Sequence, residues 1–574
     1  MAALALDFRN VNSLWGSVAA ETLARCGVRH AVISPGSRST PLTIALASHA
    51  EIEAIPVLDE RSAAFFALGL AKRTETPVVL LCTSGSAGAN YFPAVIEAHE
   101  SGVPLIVITA DRPPEMRECA SGQTIDQQKL FGAHVSFYHE LAVPEASLSL
   151  LGYLRQTLAH AVDRARGPVP GPVHLNAPFR DPLPPIEDAH AKALAGKIDA
   201  DFFSHLGAPS PVVTRSTLWQ RPTTTRGIIV AGPLPATKDA AEWVNKVREL
   251  SDALGWPVLA DGLSPLRADP QAIASYDVIL RNADAARELT PRTVLCIGGW
   301  PTSKVLRGWL EASGAEILLV SQHVTNRDAL HGRTRQITAP LDSISVSGER
   351  IHDESYLAAW RAREQAARGA IESALEKETT LVEPKASWLL TRLLAPGTPL
   401  VVANSMPVRD LEYFRAAGGP AVEVFFSRGA NGIDGTLSTA LGVAHAADKP
   451  AVLLTGDLAL LHDSNGFLAV PQLRGALTIV LINNKGGGIF EHLPVAQFEP
   501  PFEKFFATPQ QVDFATLCAA HRVEHVVVKD WIHFETLLRA EFTRGVRVLE
   551  VRTDRKHDAA WRKRLFAQVA AKLN

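Results

Sequence analysis

Residues suited to magnesium and phosphate chemistry follow two apolar runs in the last third of the chain. Gly456 and Asp457 follow the run AVLLT, and Asn484 and Gly486 closely follow the run LTIVLI. Mg²⁺ prefers carboxylate, carbonyl and phosphate oxygens in an octahedron, which Asp457, the Asn484 side chain and the Gly486 carbonyl could supply in part. Glycines let the backbone approach phosphate groups closely. The pattern indicates a magnesium and diphosphate site; the alternative is an ordinary βα turn rich in Gly and Asn.

The spacing of these residues resembles the signature of the thiamine-diphosphate-dependent enzymes, in which a GDG tripeptide precedes an NN pair at a short, nearly fixed interval. Here 24 residues lie between Leu458 and Asn483, and Leu458 stands where many members of the family have the second Gly. The resemblance implies thiamine diphosphate and Mg²⁺, or Mn²⁺, as cofactors. It implies that the metal ligands are Asp457, Asn484 and Gly486, and that the residues contacting the cofactor include Gly456, Ile489 and Phe490.

An acidic residue in the first part of the chain could perform the proton chemistry. In AIPVLDERSAAFFALGLAK, Glu60 follows an apolar run and opens a helical pattern, where a carboxylate can be partly desolvated. Thiamine chemistry requires a carboxylic group that hydrogen-bonds the aminopyrimidine of the cofactor. The resemblance implies that Glu60 is this group and that Ile433, in RGANGIDG, supports the bent cofactor. The alternatives are a solvated acid at a helix N-terminus and a core isoleucine.

Cationic side chains lie just after predicted strands. They are Arg38, Arg112, Lys304, Arg409 and Arg428. Each one alone would be an ordinary surface charge, but together they suit substrates with several carboxylates, because a guanidinium binds a carboxylate through two hydrogen bonds. Ser37, Gln123 and Ser405 are candidate hydrogen-bond partners of a substrate, with loop capping as the alternative for each.

Five longer strings narrow the resemblance to one family. ISPGSRSTPL, ADRPPE, GQTIDQ, SRGANGIDG and NNKGGGIFEHLP resemble the 2-succinyl-5-enolpyruvyl-6-hydroxy-3-cyclohexene-1-carboxylate synthases of menaquinone biosynthesis. This resemblance implies a carboligase that decarboxylates 2-oxoglutarate and adds the succinyl unit to isochorismate. It implies catalytic roles for Glu60, Gln123, Arg409 and Arg428, and substrate binding by Ser37, Arg38, Arg112, Gln123, Lys304, Ser405, Arg409 and Arg428.

Parallel α/β units must position these residues, because apolar β-branched runs repeatedly end in small or polar clusters that open helical patterns. The predicted strands are HAVIS, PVVLLCT, PLIVITA and PVHLNAP in the first region, GIIVAGPLP, WPVLADG, TVLCIGGW and AEILLVSQ in the middle, and PLVVANS, AVEVFFS, AVLLTGD, LTIVLINN and VRVLEVR in the last. We predict three doubly wound parallel-sheet domains, at 1–185, 186–365 and 366–574, with a connecting helix in ESYLAAWRAREQAARGAIESALEKE. Ligands in such sheets bind beyond the carboxyl ends of the strands.

Composition limits the remaining classes of function. A net charge of -3 gives no general attraction to nucleic acid, and no apolar run is long enough to span a bilayer. The five cysteines form no CxxC pair, which favours a reducing cytoplasm. The family resemblance implies at least a homodimer, and whether dimers pair into a homotetramer stays open.

Two alternative functions are kept. One is another thiamine-diphosphate enzyme, such as a 2-oxo acid decarboxylase or an acetolactate synthase. The other is a non-catalytic nucleotide-binding regulatory protein, although the presence of Glu60, Asp457 and Asn484 together argues against it. A nicotinamide dehydrogenase is disfavoured because no GxGxxG follows the first strand of any predicted domain.

Overall fold

The computed structural model of the protein describes residues 6–207, 217–323, 325–348 and 354–573. An N-terminal parallel sheet has the strand order β2-β1-β3-β4-β6-β5. Its strands are β1 (His30–Ile33), β2 (Glu53–Pro56), β3 (Val78–Cys82), β4 (Leu105–Asp111), β5 (Phe137–Glu140) and β6 (Pro172–Pro178). The accompanying helices are α1 (Val11–Arg25), α2 (Thr40–Ser48), α3 (Glu60–Thr74), α4 (Ala87–Asn90), α5 (Phe92–Ser101), α6 (Leu148–Arg166) and α7 (Ala189–Lys192).

The middle region forms a second parallel sheet with the order β12-β11-β10-β8-β9, and β13 pairs with β7. Its strands are β7 (Thr217–Gln220), β8 (Gly227–Ala231), β9 (Val258–Ala260), β10 (Thr293–Ile297), β11 (Glu316–Ser321), β12 (Arg333–Thr338) and β13 (Ile344–Ser347). Its helices are α8 (Ala240–Leu254), α9 (Tyr276–Ile279), α10 (Ala283–Glu288), α11 (Lys304–Ser313) and α12 (Glu354–Lys377). The long helix α12 confirms the predicted connecting helix.

The C-terminal region forms a third parallel sheet with the order β15-β14-β16-β17-β19-β18. Its strands are β14 (Pro399–Val402), β15 (Glu423–Phe426), β16 (Ala451–Gly456), β17 (Ala476–Asn483), β18 (Glu524–Val527) and β19 (Gly545–Arg552). Its helices are α13 (Glu383–Leu393), α14 (Met406–Phe414), α15 (Thr436–His445), α16 (Asp457–His462), α17 (Phe514–Ala520), α18 (Trp531–Arg539) and α19 (Arg555–Ala571).

The central strands have no exposed face, as is usual for strands of parallel sheets. Every residue of β3, β4, β6, β8 and β10 is buried. Strands that are buried on both faces belong to sheets covered by helices on both sides. The predicted α/β class with parallel sheets is confirmed. The structure adds strands that the sequence analysis did not predict, namely β2, β5, β7, β12, β13 and β18.

The chain divides into two compact units. Unit 1 comprises Met1–Val212, Ser427–Ala447 and His462–Arg474, and unit 2 comprises Val213–Phe426, Asp448–Leu461 and Gly475–Asn574. Unit 1 thus includes α15 although this helix follows β15 of the C-terminal sheet. The predicted domain boundaries at 185/186 and 365/366 stay a prediction. Across the described ranges, no helix combines the length and the apolar character that a bilayer span requires.

Helices α3 and α15 of unit 1 are joined by a close backbone contact. A Cβ atom on Gly69 would lie 2.1 Å from the carbonyl oxygen of Thr439, and one on Gly442 would lie 2.1 Å from the carbonyl oxygen of Phe66. Both distances are shorter than atoms can approach, so glycine is required at both positions. This contact fixes the helix that Glu60 begins against the helix that follows Ile433.

Candidate active site

In unit 2, Asp457 lies where β16 ends and is only 5% exposed. One of its carboxylate oxygens accepts a hydrogen bond from the Leu458 N–H, and the other accepts one from the Gly486 N–H, each at 2.8 Å. Gly486 has φ +132°, and a Cβ atom there would lie 2.3 Å from the carbonyl oxygen of Ala507. Asp457 therefore holds the backbone of residues 483–488, which we call the metal loop, in a conformation that only glycine allows.

The second predicted metal ligand is held by an acid that the sequence analysis missed. The Asn484 side chain, 7% exposed, donates a hydrogen bond from Nδ2 to Glu383. Its Oδ1 is buried and has no hydrogen-bond partner within the described part of the chain. The Gly486 carbonyl accepts one hydrogen bond, from the Gly488 N–H at 2.9 Å, and keeps a second lone pair. A buried amide oxygen without a partner is costly unless it binds a ligand.

The buried carboxylates around the metal loop suit a cation. Burial raises the pKa of Asp457 to about 6, and the negative charge of Glu383 adds to this shift. Burial also raises the pKa of Asp410 to about 6 and that of Asp558 to about 8, against the opposing charge of Arg562. A divalent cation would favour the ionised carboxylates, because opposite charge lowers a carboxyl pKa. The donor set of one carboxylate, one amide oxygen and one carbonyl oxygen fits Mg²⁺ or Mn²⁺.

A metal ion at this position would have to bind through the mixed set of one carboxylate, one amide oxygen and one carbonyl oxygen. No group of three or more His, Cys, Asp and Glu side chains able to hold a metal ion occurs among the residues that the structure describes. The two predicted apolar contacts of the cofactor lie in the short 3₁₀ helix Gly488–His492 directly after the metal loop. Ile489 and Phe490 are both half-buried, and the ring of Phe490 packs edge-on against Phe506, with centroids 5.8 Å apart.

The predicted substrate residues Ser405 and Arg409 of unit 2 lie together at the start of α14. Arg409 donates from Nη1 to the Ser405 carbonyl at 2.5 Å, and Ser405 has φ +72°, in the left-handed region. Such a backbone conformation is strained for serine and is often found at functional sites. Burial and the nearby charge of Arg307 lower the pKa of Arg409, so Arg307 is a further cation that the sequence analysis missed.

Lys304, the remaining predicted cation of unit 2, is exposed at the first position of α11. The preceding residue, Ser303, caps this helix: its hydroxyl accepts from the Leu306 N–H and donates to Asp277 at 2.5 Å. No hydrogen bond joins Lys304 to Arg409 in the ranges that the structure describes. The lysine is thus presented by a capped helix and is not brought to Arg409.

In unit 1, Ser84, in the loop after β3, contacts two predicted substrate residues of the connection that follows β4, Arg112 and Gln123. Arg112 donates to the Ser84 hydroxyl and to the Gln123 carbonyl, and Gln123 Nε2 donates to the Ser84 carbonyl at 3.0 Å. Gln123 has φ +55°. The sequence analysis missed Ser84, which stands in the cluster SGSAGAN that follows β3.

The neighbouring Arg38 is 8% exposed, whereas Ser37 is exposed. Arg38 donates to the Phe179 carbonyl at 3.0 Å and lies 3.8 Å from a carboxylate oxygen of Asp181. Burial and the charge of Arg112 lower the pKa of Arg38, which places the two guanidinium groups close together. Two such guanidinium groups at strand ends could bind a carboxylate-bearing ligand.

A buried network of mostly neutral side chains lies beneath these loops. Gln127 accepts from the Gly85 N–H at 2.8 Å and donates to Asn176 at 3.0 Å, and Asn176 also accepts from the Thr109 hydroxyl at 2.9 Å. The same hydroxyl accepts from His174 Nε2, at 2.8 Å. Burial lowers the pKa of His174 to about 3, so this ring is neutral. The network fixes the turn that follows β3 and carries Ser84.

Glu60 is the first residue of α3 and is half-buried. Asp59 caps this helix by accepting from the Ser62 N–H at 2.9 Å, and Asn465 donates to the other oxygen of Asp59 at 2.7 Å. In the described ranges, no hydrogen bond or ion pair engages the Glu60 carboxylate itself. Its position is therefore fixed by the helix cap, and its oxygens are available to a ligand.

The loop that carries Arg428 and Ile433 is held by a buried acid of α5. Glu97 is 3% exposed and accepts from the N–H groups of Gly429 (3.2 Å) and Ala430 (2.7 Å). Lys72, on α3, lies 3.5 Å from the same carboxylate. Burial lowers the pKa of Lys72, against the opposing charge of Glu97. A carboxylate that accepts two N–H groups directly after Arg428 fixes the backbone of this predicted catalytic residue.

The structure therefore gathers the predicted residues into separate groups. Unit 2 holds Asp457, Asn484 and Gly486 in one group and Ser405 and Arg409 in another, whereas unit 1 gathers Arg38, Arg112 and Gln123. The residues that hold these groups in place were missed: Glu383, Arg562, Ser84, Gln127 and Glu97. Their partners lie far away in the sequence, and no local pattern marks them.

Three comparisons with protein families cover most of the chain. The N-terminal TPP binding domain of the thiamine pyrophosphate enzymes matches residues 15–130. The middle domain of thiamine pyrophosphate enzymes matches residues 199–395, and their C-terminal TPP binding domain matches residues 413–551.

Curated relatives match over nearly the whole length. A 2-succinyl-5-enolpyruvyl-6-hydroxy-3-cyclohexene-1-carboxylate synthase of Nostoc sp. (strain PCC 7120 / SAG 25.82 / UTEX 2576) is 50% identical, covering 99% of this chain and 99% of the relative. The enzyme of the same name from Trichormus variabilis (strain ATCC 29413 / PCC 7937) is 50% identical with the same coverage. That of Acaryochloris marina (strain MBIC 11017) is 48% identical, covering 99% of this chain and 100% of the relative.

Proposed function

Because the chain belongs to the thiamine pyrophosphate enzymes and, within them, to the family of the 2-succinyl-5-enolpyruvyl-6-hydroxy-3-cyclohexene-1-carboxylate synthases, we propose that it catalyses the reaction which that name describes. In this reaction 2-oxoglutarate loses CO₂, and its remaining succinyl unit is added to the ring alkene of isochorismate. The reaction is a step of menaquinone biosynthesis, and the enzyme is a thiamine-diphosphate-dependent carboligase.

The observation that carries this proposal is the set of buried oxygen ligands in and next to the metal loop. The Asn484 Oδ1 has no partner in the described part of the chain, and the buried carboxylate of Asp457 binds the N–H of Gly486, two residues after Asn484. We assign Mg²⁺, or Mn²⁺, to Asp457, Asn484 and the Gly486 carbonyl, and the diphosphate to the neighbouring backbone, with Gly456, Ile489 and Phe490 as further contacts. When bound, thiamine diphosphate supplies the nucleophilic carbon and the electron-accepting ring that decarboxylation of a 2-oxo acid requires.

The residues of unit 1 would supply proton chemistry and orientation. The Glu60 carboxylic group would share a proton with the pyrimidine nitrogen of the cofactor, and Ile433 would support the cofactor from below. Glu60 is suited to this task because its backbone is fixed by the Asp59 cap while its oxygens have no partner in the described ranges. A general acid or base placed in this way contributes roughly 10²- to 10⁴-fold to the rate.

The cationic and amide side chains would bind the substrates. Both substrates carry carboxylates, which the guanidinium groups of Arg38, Arg112, Arg409 and Arg428 and the ammonium of Lys304 would hold. Gln123, Ser37 and Ser405 would donate further hydrogen bonds. Such contacts supply orientation, and they stabilise negative charge that develops while CO₂ leaves and the new carbon–carbon bond forms.

The deciding experiment combines the purified protein with thiamine diphosphate, Mg²⁺, 2-oxoglutarate and isochorismate. We expect isochorismate to disappear and CO₂ to be released in equal amounts. Pyruvate in place of 2-oxoglutarate is the matched control, because it lacks the second carboxylate, and we expect at least a 100-fold lower kcat/KM. Absence of turnover, or equal turnover of pyruvate, would refute the proposed function.

We further propose that the enzyme is a cytoplasmic homo-oligomer, at least a homodimer, and that its domains are 1–185, 186–365 and 366–574. Large apolar side chains near the predicted site residues support an interface between subunits: Leu58, Phe498 and Phe505 are 64%, 65% and 68% exposed. Exposed apolar side chains mark an interaction surface where they form a contiguous patch. Sedimentation equilibrium measures the assembly, and a monomer at micromolar concentration would refute it.

A further inference from the structure

The Asn484 amide is fixed by a buried sequence of charged hydrogen bonds. Glu383, which accepts from Asn484 Nδ2, also accepts from Arg562. Arg562 donates through two nitrogens to the two carboxylate oxygens of Asp410, at 2.7 and 2.5 Å. The side chains of Glu383, Arg562 and Asp410 are at most 3% exposed. Water does not screen these contacts, so they hold their geometry strongly.

The direction of the hydrogen bonds determines which way the amide points. An ionised carboxylate only accepts hydrogen bonds, so the NH₂ group of Asn484 must face Glu383. The amide oxygen then points away from Glu383 and has no partner in the described ranges. Glu383 is the first residue of α13, where the helix dipole favours a negative charge. Glu383 therefore selects the amide orientation that a metal requires.

Helix α19 contacts the metal loop at a second point. Arg555, its first residue, donates from Nη1 to the Lys485 carbonyl and from Nε to Glu491, each at 2.9 Å. Arg555 and Arg562 are seven residues apart, about two helical turns, and lie on one face of α19. This helix follows the part of the chain that matches the C-terminal TPP binding domain, residues 413–551.

The same arginine reaches the helix of a predicted substrate residue. Asp410, the second partner of Arg562, follows Arg409 in α14. Arg409 is directed by its own hydrogen bond to the Ser405 carbonyl. A displacement of Arg562 would therefore change both the amide of Asn484 and the position of α14.

We propose that Glu383 and Arg562 are positioning residues, which orient the metal ligand Asn484 and tie the metal loop to the helix that presents Arg409. This inference rests on the proposed function, because it takes Asn484 as a metal ligand and Arg409 as a substrate residue. Neither positioning residue is one of the predicted substrate residues. Each acts through a neighbouring side chain, as the partners of metal ligands commonly do.

The first test is Glu383→Gln, which keeps the size of the side chain and removes its charge. Mg²⁺ is titrated calorimetrically into the full chain with saturating thiamine diphosphate and without substrate. We expect the Kd for Mg²⁺ to rise roughly 10- to 100-fold, as is typical when the partner of a metal ligand is changed. At saturating Mg²⁺, kcat should recover to within about tenfold of that of the unchanged enzyme.

The second test is Arg562→Lys, which keeps the charge but cannot bridge two carboxylates with a planar fork. We expect the Kd for Mg²⁺ and the KM for 2-oxoglutarate to rise together, by roughly threefold or more. Arg564→Lys is the matched control: Arg564 is exposed on α19, and no ion pair engages it among the described residues. This control should change neither quantity.

Thermal unfolding of each variant separates positioning from general stability. Loss of metal affinity in a variant that melts within a few degrees of the unchanged protein supports the proposal. A folded Glu383→Gln that binds Mg²⁺ within twofold of the unchanged protein overturns it, and this variant decides if Arg562→Lys does not fold. Metal binding is measured without turnover, so a failure of the isochorismate assay would remove the proposed function and leave the role of Glu383 measurable.

Discussion

The N-terminal and C-terminal sheets have the same topology but carry different chemistry. In chain order within each sheet, both read 2-1-3-4-6-5, and in both the predicted site residues follow the carboxyl ends of the strands. The turn after β3 of the N-terminal sheet, which carries Ser84, is held by neutral side chains, namely Gln127, Asn176, Thr109 and His174. The metal loop of the C-terminal sheet is held by ions, namely Glu383, Arg562 and Asp410.

This difference shows what topology determines and what the loops determine. The strand order places a site at the carboxyl edge of each sheet, since ligands of open parallel sheets bind there. The side chains in the loops decide whether that edge binds a cation or orients an organic group. A bound cation is stabilised by an excess of negative charge nearby. Buried carboxylates such as Glu383 and Asp410 can supply this charge. Neutral partners hold the turn that carries Ser84, which Arg112 contacts.

The largest expected effect on kcat comes from changing Glu60, which tests whether residues of the N-terminal sheet supply catalysis. Glu60→Gln should lower kcat roughly 10³-fold, because the amide cannot exchange a proton with the cofactor. Binding of thiamine diphosphate and Mg²⁺, measured by calorimetry, should stay within about threefold of that of the unchanged protein. Turnover of isochorismate within tenfold of the unchanged rate would contradict the assignment of Glu60.

Asp457→Ala tests the C-terminal sheet as the source of binding. The change removes a metal ligand and also the acceptor of the Gly486 N–H. We expect the apparent Kd for thiamine diphosphate at fixed Mg²⁺ to rise roughly 100-fold or more. Excess Mg²⁺ should restore part of the activity. If both variants lowered kcat with unchanged cofactor affinity, the division of labour between the two sheets would be wrong.

Glu97→Gln tests whether Glu97, on helix α5, positions the loop that follows β15 and carries Arg428. The amide can accept only part of the hydrogen bonds that Glu97 now accepts, and it leaves Lys72 without its nearby negative charge. We expect kcat/KM to fall roughly 10-fold through displacement of Arg428. Glu100→Gln, on the same helix, is the control and should stay within twofold. Equal kinetics for both variants would show that Glu97 does not position Arg428.

The smallest effect concerns the neutral network. The pKa of His174 is lowered to about 3 by burial, so the folded protein keeps this ring neutral while the unfolded chain protonates near pH 6.5. Its contribution to the free energy of unfolding is present above pH 6.5 and is lost as the pH falls towards 3, by about 1.4 kcal/mol per pH unit.

His174→Asn removes this dependence, so its melting temperature should approach that of the unchanged protein between pH 7 and pH 5. The exposed His190 provides the control, since His190→Asn should leave the pH slope as it is. Parallel melting temperatures for His174→Asn and the unchanged protein across this range would show that the ring does not titrate as described.

Burial explains which elements could be predicted from the sequence. The predicted strands are mostly central and apolar, such as β4 and β17. Among the strands that were missed, β2, β5, β12 and β18 lie at sheet edges, where a strand pairs on one side and carries polar residues, as in RTRQIT of β12. These four edge strands lack the continuous apolar run that made the central ones visible.

Distance along the chain explains which site residues could be predicted. Asp457 and Asn484 belong to a short local pattern, and Glu60 begins a helix after an apolar run. Glu383 lies 101 residues from Asn484 and 179 residues from Arg562 in the chain. Such pairs leave no periodicity or spacing in one sequence, so only the folded structure reveals them.

The contact between Arg562 and Glu383 can form only late in the synthesis of the chain. Arg562 is added 78 residues after Asn484 (562 minus 484), which takes roughly 4 to 16 s at usual rates of translation. Until then the charges of Glu383 and Asp410 lack their shared counterion. We expect a nascent chain stopped before Arg555 to bind Mg²⁺ and thiamine diphosphate at least tenfold more weakly than the released protein. Measuring cofactor retention on stalled ribosomes would show whether this helix is the last part needed to assemble the metal site.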